Sequence, residues 1–197
     1  MTPASDSHQA APTAQARAVV IYESIYGNTR AVAEAIAAGL ADHMEVTVAP
    51  VGGAGAGALQ GARLLVVGGP THMHGLSTAM TRRMAAQAAE EDGHAPVEPE
   101  AARDPGLREW LRDLDGAGYA AAAFDTRIDR SAVLTGTAAR GIAKRLHRRG
   151  CTSAAKAESF FVDDGEGPLA DGELERAPAR GARRSALRAE PGAAERP

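Results

Sequence analysis

Ser24, Tyr26 and Thr29 offer three hydroxyls within one short turn, grouped around Gly27 and Asn28. An apolar run precedes the turn and a helical repeat follows it. That arrangement presents side-chain hydroxyls and helix-terminal amides to an anion. Gly27 permits close backbone approach or positive φ, and Asn28 or Thr29 can cap the helix. The chemistry this supports is phosphate binding without a formal cation, as in a nucleotide or flavin binder. No Lys sits where a Walker turn needs one, and neither GxxxxGK[ST] nor GxGxxG follows the run. Nucleoside triphosphate chemistry and a Rossmann dinucleotide fold are therefore unsupported.

Those residues need strands and helices to position them. Ala18–Tyr22 is a continuous apolar β-prone run, the pattern of a strand buried on both faces. Val32, Ile36 and Leu40, beside Ala35 and Gly39, form one helical face. Met44–Val48 reads as a second strand and 52–58 as a Gly/Ala loop. Leu64–Val67 reads as a third strand, ending in Gly68–Gly69–Pro70. Met80, Met84, Ala85 and Ala88 point to a helix over about 77–91, followed by a loop at 92–103. Asp104 as cap and Pro105 in the first turn start another, with the stripe Leu107, Trp110, Leu111 and Leu114. Tyr119–Phe124 is an alanine-rich strand, and Ala138–Arg149 a helix with Ile142 and Leu146 inward and Gly150 as its stop. Glu158–Val162 is a last strand, and 169–177 a closing helix.

This alternation predicts an α/β fold: a doubly wound, five-stranded parallel sheet with helices on both faces. Residues 1–16 and about 178–197 lack apolar periodicity and are expected to be disordered tails flanking one domain, 17–177. In such sheets ligands sit beyond the carboxyl ends of the strands. The loops 23–29, 68–77 and 125–137 lie there, and all three carry unusual polar or Gly residues.

The 197 residues suit one domain, and a net charge of −3 gives no sign of a nucleic-acid partner. Cys151 is the single cysteine, which excludes an internal disulfide and any multi-thiolate metal site. No apolar run approaches a membrane span. Residues 1–16 lack the basic start and apolar core of a secretory signal, so a cytoplasmic protein is expected. The acidic stretch with Asp163, Asp164 and Glu166 does not fit an EF-hand and reads as solvated; Thr135–Thr137 reads as a helix-capping turn.

The stretch ESIYGNTR resembles the phosphate loop of flavodoxins and flavodoxin-like FMN-binding domains. The family pattern, roughly [ST]-x-[TSY]-G-x-T, is met by Ser24, Tyr26, Gly27 and Thr29. VVGGPTHMHGLS (66–77) resembles the family's second flavin loop, and AFDTR (123–127), more loosely, its third. The resemblance spans about 17–177 and implies strand order 2-1-3-4-5, non-covalently bound FMN, and electron transfer with a redox partner protein or small-molecule acceptor. By position, Ser24, Ile25, Tyr26, Gly27, Asn28 and Thr29 would hold the phosphate. Pro70, Thr71, His72, Met73, His74 and Gly75 would lie against the isoalloxazine ring; Asp125 and Arg127 would contact its pyrimidine edge or form a surface turn, and Thr126 between them counts with the cofactor-binding set.

His72 and His74 are one strand-step apart and point the same way if the loop is extended. They can stack on or donate to the flavin, stand in solvent, or form a metal pair, although no carboxylate or Cys in the loop completes a metal shell. The chain departs from the shuttles of the family in two ways. The third loop has no aromatic residue to cover the ring, and the only Trp, Trp110, belongs to a core stripe. The missing aromatic cover predicts an open ring face, and the weak net charge, with Arg127 and two histidines near the ring, predicts a raised reduction potential. No side chain stands out as a general acid or base, but the His74 imidazole could follow electron uptake with a proton. An NAD(P)H-dependent quinone reductase of the same superfamily and a flavin-free interaction module are the alternatives.

Overall fold

A computed structural model describes residues 15–178 apart from 56, 73, 92, 102 and 104. The expected tails, 1–16 and 178–197, fall almost wholly outside the described residues, as does Met73.

The elements in chain order are β1 (Arg17–Tyr22), α1 (Asn28–Ala41), β2 (Glu45–Pro50), β3 (Ala62–His72), β4 (Gly75–Leu76), α2 (Ala79–Ala88), α3 (Leu107–Asp113), β5 (Ala120–Ile128), α4 (Ala132–Thr135), α5 (Ala138–Arg148), β6 (Thr152–Ser153) and β7 (Glu158–Val162). The sheet runs β2-β1-β3-β5, and both β6 and β7 pair with β5 along its outer edge. All these pairings are parallel; only β4, a short return against β3, is antiparallel. With β6 and β7 sharing one edge position, this is the expected 2-1-3-4-5 order.

Side chains alternate across the sheet with the period of two that strands impose. Ala18, Val20, Leu64, Val66, Ala122 and Phe124 pack on one face with Val32, Ile36 and Leu40 of α1. Val19, Ile21, Leu65, Val67, Ala121 and Ala123 pack on the other with Leu107 and Leu111 of α3 and Ile142 and Leu146 of α5. The alanine-rich β5 succeeds because both neighbours satisfy its backbone, so position outweighs intrinsic propensity. Phe124 adds bulk there, edge-on to Phe160 at 6.0 Å between ring centroids.

Several features differ from the sequence reading, among them β5, which runs on through the expected loop start to Ile128. β3 continues to His72, because Gly68, Gly69 and Pro70 pair with Phe124, Asp125 and Thr126. Pro70 is tolerated because β1 leaves the sheet after Tyr22, which makes this end of β3 an edge. α3 starts at Leu107, capped at Gly106, instead of at Asp104–Pro105; Asp104 itself lies outside the described residues. α2 forms, but Met80 and Met84 face solvent while Arg82 and Ala85 point inward. The closing helix begins later than 169, with helical residues at 173–178.

Candidate functional site

The residues after β1 turn sharply into α1. Gly27 is its N-cap at φ 86°, and the helix opens with no side-chain cap and no acidic residue in its first turn. Its first amides have no partner within a helix, so this end offers donors and positive dipole to an anion. Asn28 and Thr29 do not cap the helix as expected. Asn28 is already helical, and its Nδ2 donates to the Glu166 carbonyl at 2.9 Å. Thr29 is buried, with its hydroxyl 2.7 Å from that of Thr126. In such a pair one hydroxyl donates to the other, which leaves one proton for a ligand. The Ser24 hydroxyl accepts from the Gly27 N–H at 3.1 Å, so its proton is likewise available. Arg30 turns aside to Glu98, with Nε 3.1 Å from Oε1.

Beyond the carboxyl ends of the strands lies a cleft of about 240 Å³. Ile25, Tyr26, Asn28 and Thr29 form one wall, and Pro70, Thr71 and His72 another. Thr126, Arg127 and Ile128, with Val162 and Gly165, close the third side. The structure therefore brings together nine of the expected site residues: Ile25, Tyr26, Asn28, Thr29, Pro70, Thr71, His72, Thr126 and Arg127.

The second loop is not extended. His72 pairs with Gly75 across the β3–β4 return, and His74 takes a left-handed conformation at φ 74°. The two imidazoles are therefore not neighbours on one strand face: His72 lines the cleft, and His74 is exposed at the tip. Backbone of His74 bridges to Gly136, just beyond α4, a short helix that the sequence reading took as loop. Among the described residues no group of three potential metal ligands gathers.

Asp125 behaves differently from its neighbours. Fully buried, its Oδ2 accepts from the hydroxyls of Thr71 and Thr137 and from the Ala139 N–H, each at 2.8 Å. The Ala138 N–H donates to the Thr71 hydroxyl, also at 2.8 Å. So the α5 N-terminus is capped from across the sheet, and Asp125 fastens β3, β5 and α5 together beneath the cleft. Arg127 stays at the surface of the cleft. It donates to Ser159 and to the Arg130 carbonyl, with its guanidinium 4.8 Å from the Phe161 ring centroid.

A sequence model of the flavodoxin family matches residues 20–150. The chain belongs to the flavodoxin family. Its cofactor is accordingly FMN, the nucleotide of that family. Solved structures of similar fold include an archaeal flavodoxin, at TM-score 0.59 and 20% identity over 86% of this chain and 96% of that one. Flavodoxin 1 of Bacillus cereus gives 0.55 and 16%, over 86% and 97%. The two-electron-reduced flavodoxin of Megasphaera elsdenii gives 0.52 and 18%, over 84% and 98%. No curated protein sequence matches the chain at a significant level.

Two features of this flavodoxin-family chain are not legible in the sequence. One is a buried carboxylate, Glu23, placed between β1 and the turn into α1. Its Oε2 accepts the Leu107 N–H at 2.7 Å, its Oε1 accepts from the Ser77 hydroxyl, and Arg82 Nη1 lies 3.7 Å from Oε2. Glu23 thus joins the first loop, the end of the second and the start of α3. The other is a strap beside Asn28: Glu166 accepts from the Ala95 N–H at 2.7 Å and lies 2.6 Å from His94 Nδ1. No local pattern signals either, since Glu166 is separated from His94 by 72 residues.

The strap has a calculable pH response. The Ala95 N–H, then His94, holds the Glu166 carboxyl below its ordinary value; the Glu166 hydrogen bond holds the His94 imidazole above its own. The His94 contribution is complete below its ordinary pKa of 6.5 and fades as pH rises through the higher folded value. The Glu166 contribution is complete above its ordinary 4.5 and fades as pH falls through the lower folded value. His94→Gln is expected to lower the melting temperature most between these two limits and least at alkaline pH. Parallel melting curves across pH check this, and a difference independent of pH would contradict it.

Proposed function

We propose that this flavodoxin-family chain carries electrons on FMN held non-covalently in the cleft. The supporting observation is the N-terminus of α1 at the head of that cleft, with no side-chain cap and no acidic residue in its first turn. Thr29 stands in the cleft wall and the Ser24 hydroxyl against Gly27, while the nearby Glu98 carboxylate is paired with Arg30. These groups suit a phosphate of about −1.5 to −2 charge. In this reading the turn from Ser24 to Thr29 holds the phosphate, while Pro70–His72 and Thr126–Ile128 orient the ring. When bound, FMN supplies the one- and two-electron chemistry. The chain binds it, fixes its orientation and sets the surrounding charge.

Because charge-assisted hydrogen bonds contribute about 1.5–3 kcal/mol each, losing the phosphate should weaken binding at least 100-fold. Titrating the purified protein with FMN and with riboflavin, followed by flavin fluorescence, is expected to show that gap. Equal affinities, or no binding of FMN, would overturn the reading.

Arg127 in the cleft wall should favour the electron-rich reduced flavin. Arg127→Gln is expected to lower the midpoint potential by roughly 40 mV, equivalent to about 1 kcal/mol for one electron at protein-surface dielectric. A redox titration of both proteins reads this directly. An unchanged potential would assign Arg127 to packing on Phe161 alone.

A further inference from the structure

α5 has an outward face that nothing in the fold requires. Arg140, Lys144, His147 and Arg148 are all exposed and fall at helical spacing on the side opposite Ile142 and Leu146. The helix carries no acidic residue. Among the described residues no carboxylate pairs with Arg140, Lys144 or Arg148. Like charges four residues apart weaken a helix, and Arg140 near the N-terminus opposes the dipole. Behind the stripe, burial first and then the neighbouring Arg108 and Arg148 lower the Arg145 pKa. This concentration of positive charge belongs to a chain whose net charge is −3.

The stripe has a direct connection to the cleft. Its helix begins at Ala138, whose N–H is held by the cleft residue Thr71 at 2.8 Å. Just before it, α4 presents Val133 and Leu134, 90% and 68% exposed. α4 is tied to the cleft by Arg127 Nη1, 3.3 Å from the Thr135 hydroxyl, and by the His74–Gly136 bridge. An apolar tip beside the site, continued by a cationic ridge, is the layout of an interface with an apolar centre and a charged rim.

We propose that α4 and the outer face of α5 form the docking surface for an acidic electron-carrier protein, which Arg140, Lys144 and Arg148 steer and Val133 and Leu134 seat. The proposal deepens the electron-carrier reading and rests on it. A protein partner is favoured over nucleic acid because the exposed apolar pair has no use against a phosphate backbone, and because the ridge adjoins the cleft.

The test titrates the FMN-loaded, isotope-labelled protein with a plant-type [2Fe–2S] ferredoxin, a strongly acidic one-electron carrier. Amide chemical shifts are followed at low and high salt. Shifts confined to α4 and α5, lost at high salt, are expected. Arg140→Glu/Arg148→Glu should weaken binding about tenfold or more, and Val133→Ser/Leu134→Ser should weaken it at both salt levels. Arg63→Glu/Arg103→Glu makes the same net charge change at exposed sites elsewhere and should leave binding nearly intact. Equal weakening by both charge-reversal pairs, shifts elsewhere, or no binding would overturn the proposal. So would tighter binding of a DNA duplex to the same face. Flavin absorbance of each variant reports FMN retention separately, so failure of the electron-carrier reading is distinguishable from failure of the surface.

Discussion

Glu23→Ala should destabilise the protein by about 3 kcal/mol, the largest loss expected from any single side chain here. Glu23 and Arg82 are almost wholly buried, at 4% and 1% exposure, with Glu109 also 3.7 Å from Arg82 Nη1. Removing one partner leaves a buried guanidinium facing a diminished counter-charge. It also strips the Leu107 N–H and the Ser77 hydroxyl of their acceptor. Glu23→Gln keeps an acceptor and should cost less, and Glu23→Ala/Arg82→Met should recover part of the loss, since a buried ion pair can be replaced by apolar packing. Urea denaturation of the three variants tests the argument. A loss below about 1 kcal/mol for the alanine variant would show the pair to be dispensable. Because Glu23 joins two of the cleft loops, FMN affinity should fall in the same order as stability.

Gly136→Ala is expected to be nearly as damaging, at about 2–3 kcal/mol. Gly136 lies at φ 70° and ψ −171°, a region essentially closed to residues with a side chain. An added Cβ would collide with the His74 carbonyl oxygen, so the backbone of one loop must move. Relieving the clash breaks the bridge that holds the second loop against α4. Thermal melts measure the cost, and amide shifts of residues 72–76 should change while those of β2, at the far edge, stay put. A near-neutral alanine would mean that this bridge contributes nothing.

What could be read from the chain was what lies close together along it. The turn from Ser24 to Thr29 is a contiguous pattern between a buried strand and an amphipathic helix, so its place at the head of the cleft was legible. So was the sheet, because β1 and β3 announce themselves by apolar runs buried on both faces. β5 was legible only as an alanine-rich run, since its strength comes from partners on both edges. The roles of single side chains were less visible. Asp125 gave no sign that it would turn inward to fasten α5, because its donors come from Thr71, Thr137 and Ala139. Capping assigned to Asn28 and Asp104 by residue type passes elsewhere: α1 has no side-chain cap, and the first amide of α3 goes to Glu23. His74 looked like the partner of His72 only on the assumption of an extended loop, which a left-handed residue in the β3–β4 return removes.

Three contacts shape the turn from Ser24 to Thr29: Ser24 to Gly27, Asn28 to Glu166, and Thr29 to Thr126. These ties hold the turn from Ser24 to Thr29 in place, so little chain entropy remains to be surrendered when an anion is captured there. Arrival should then proceed at a rate set by diffusional encounter, whereas the lifetime of the complex is governed by how often those three ties let go.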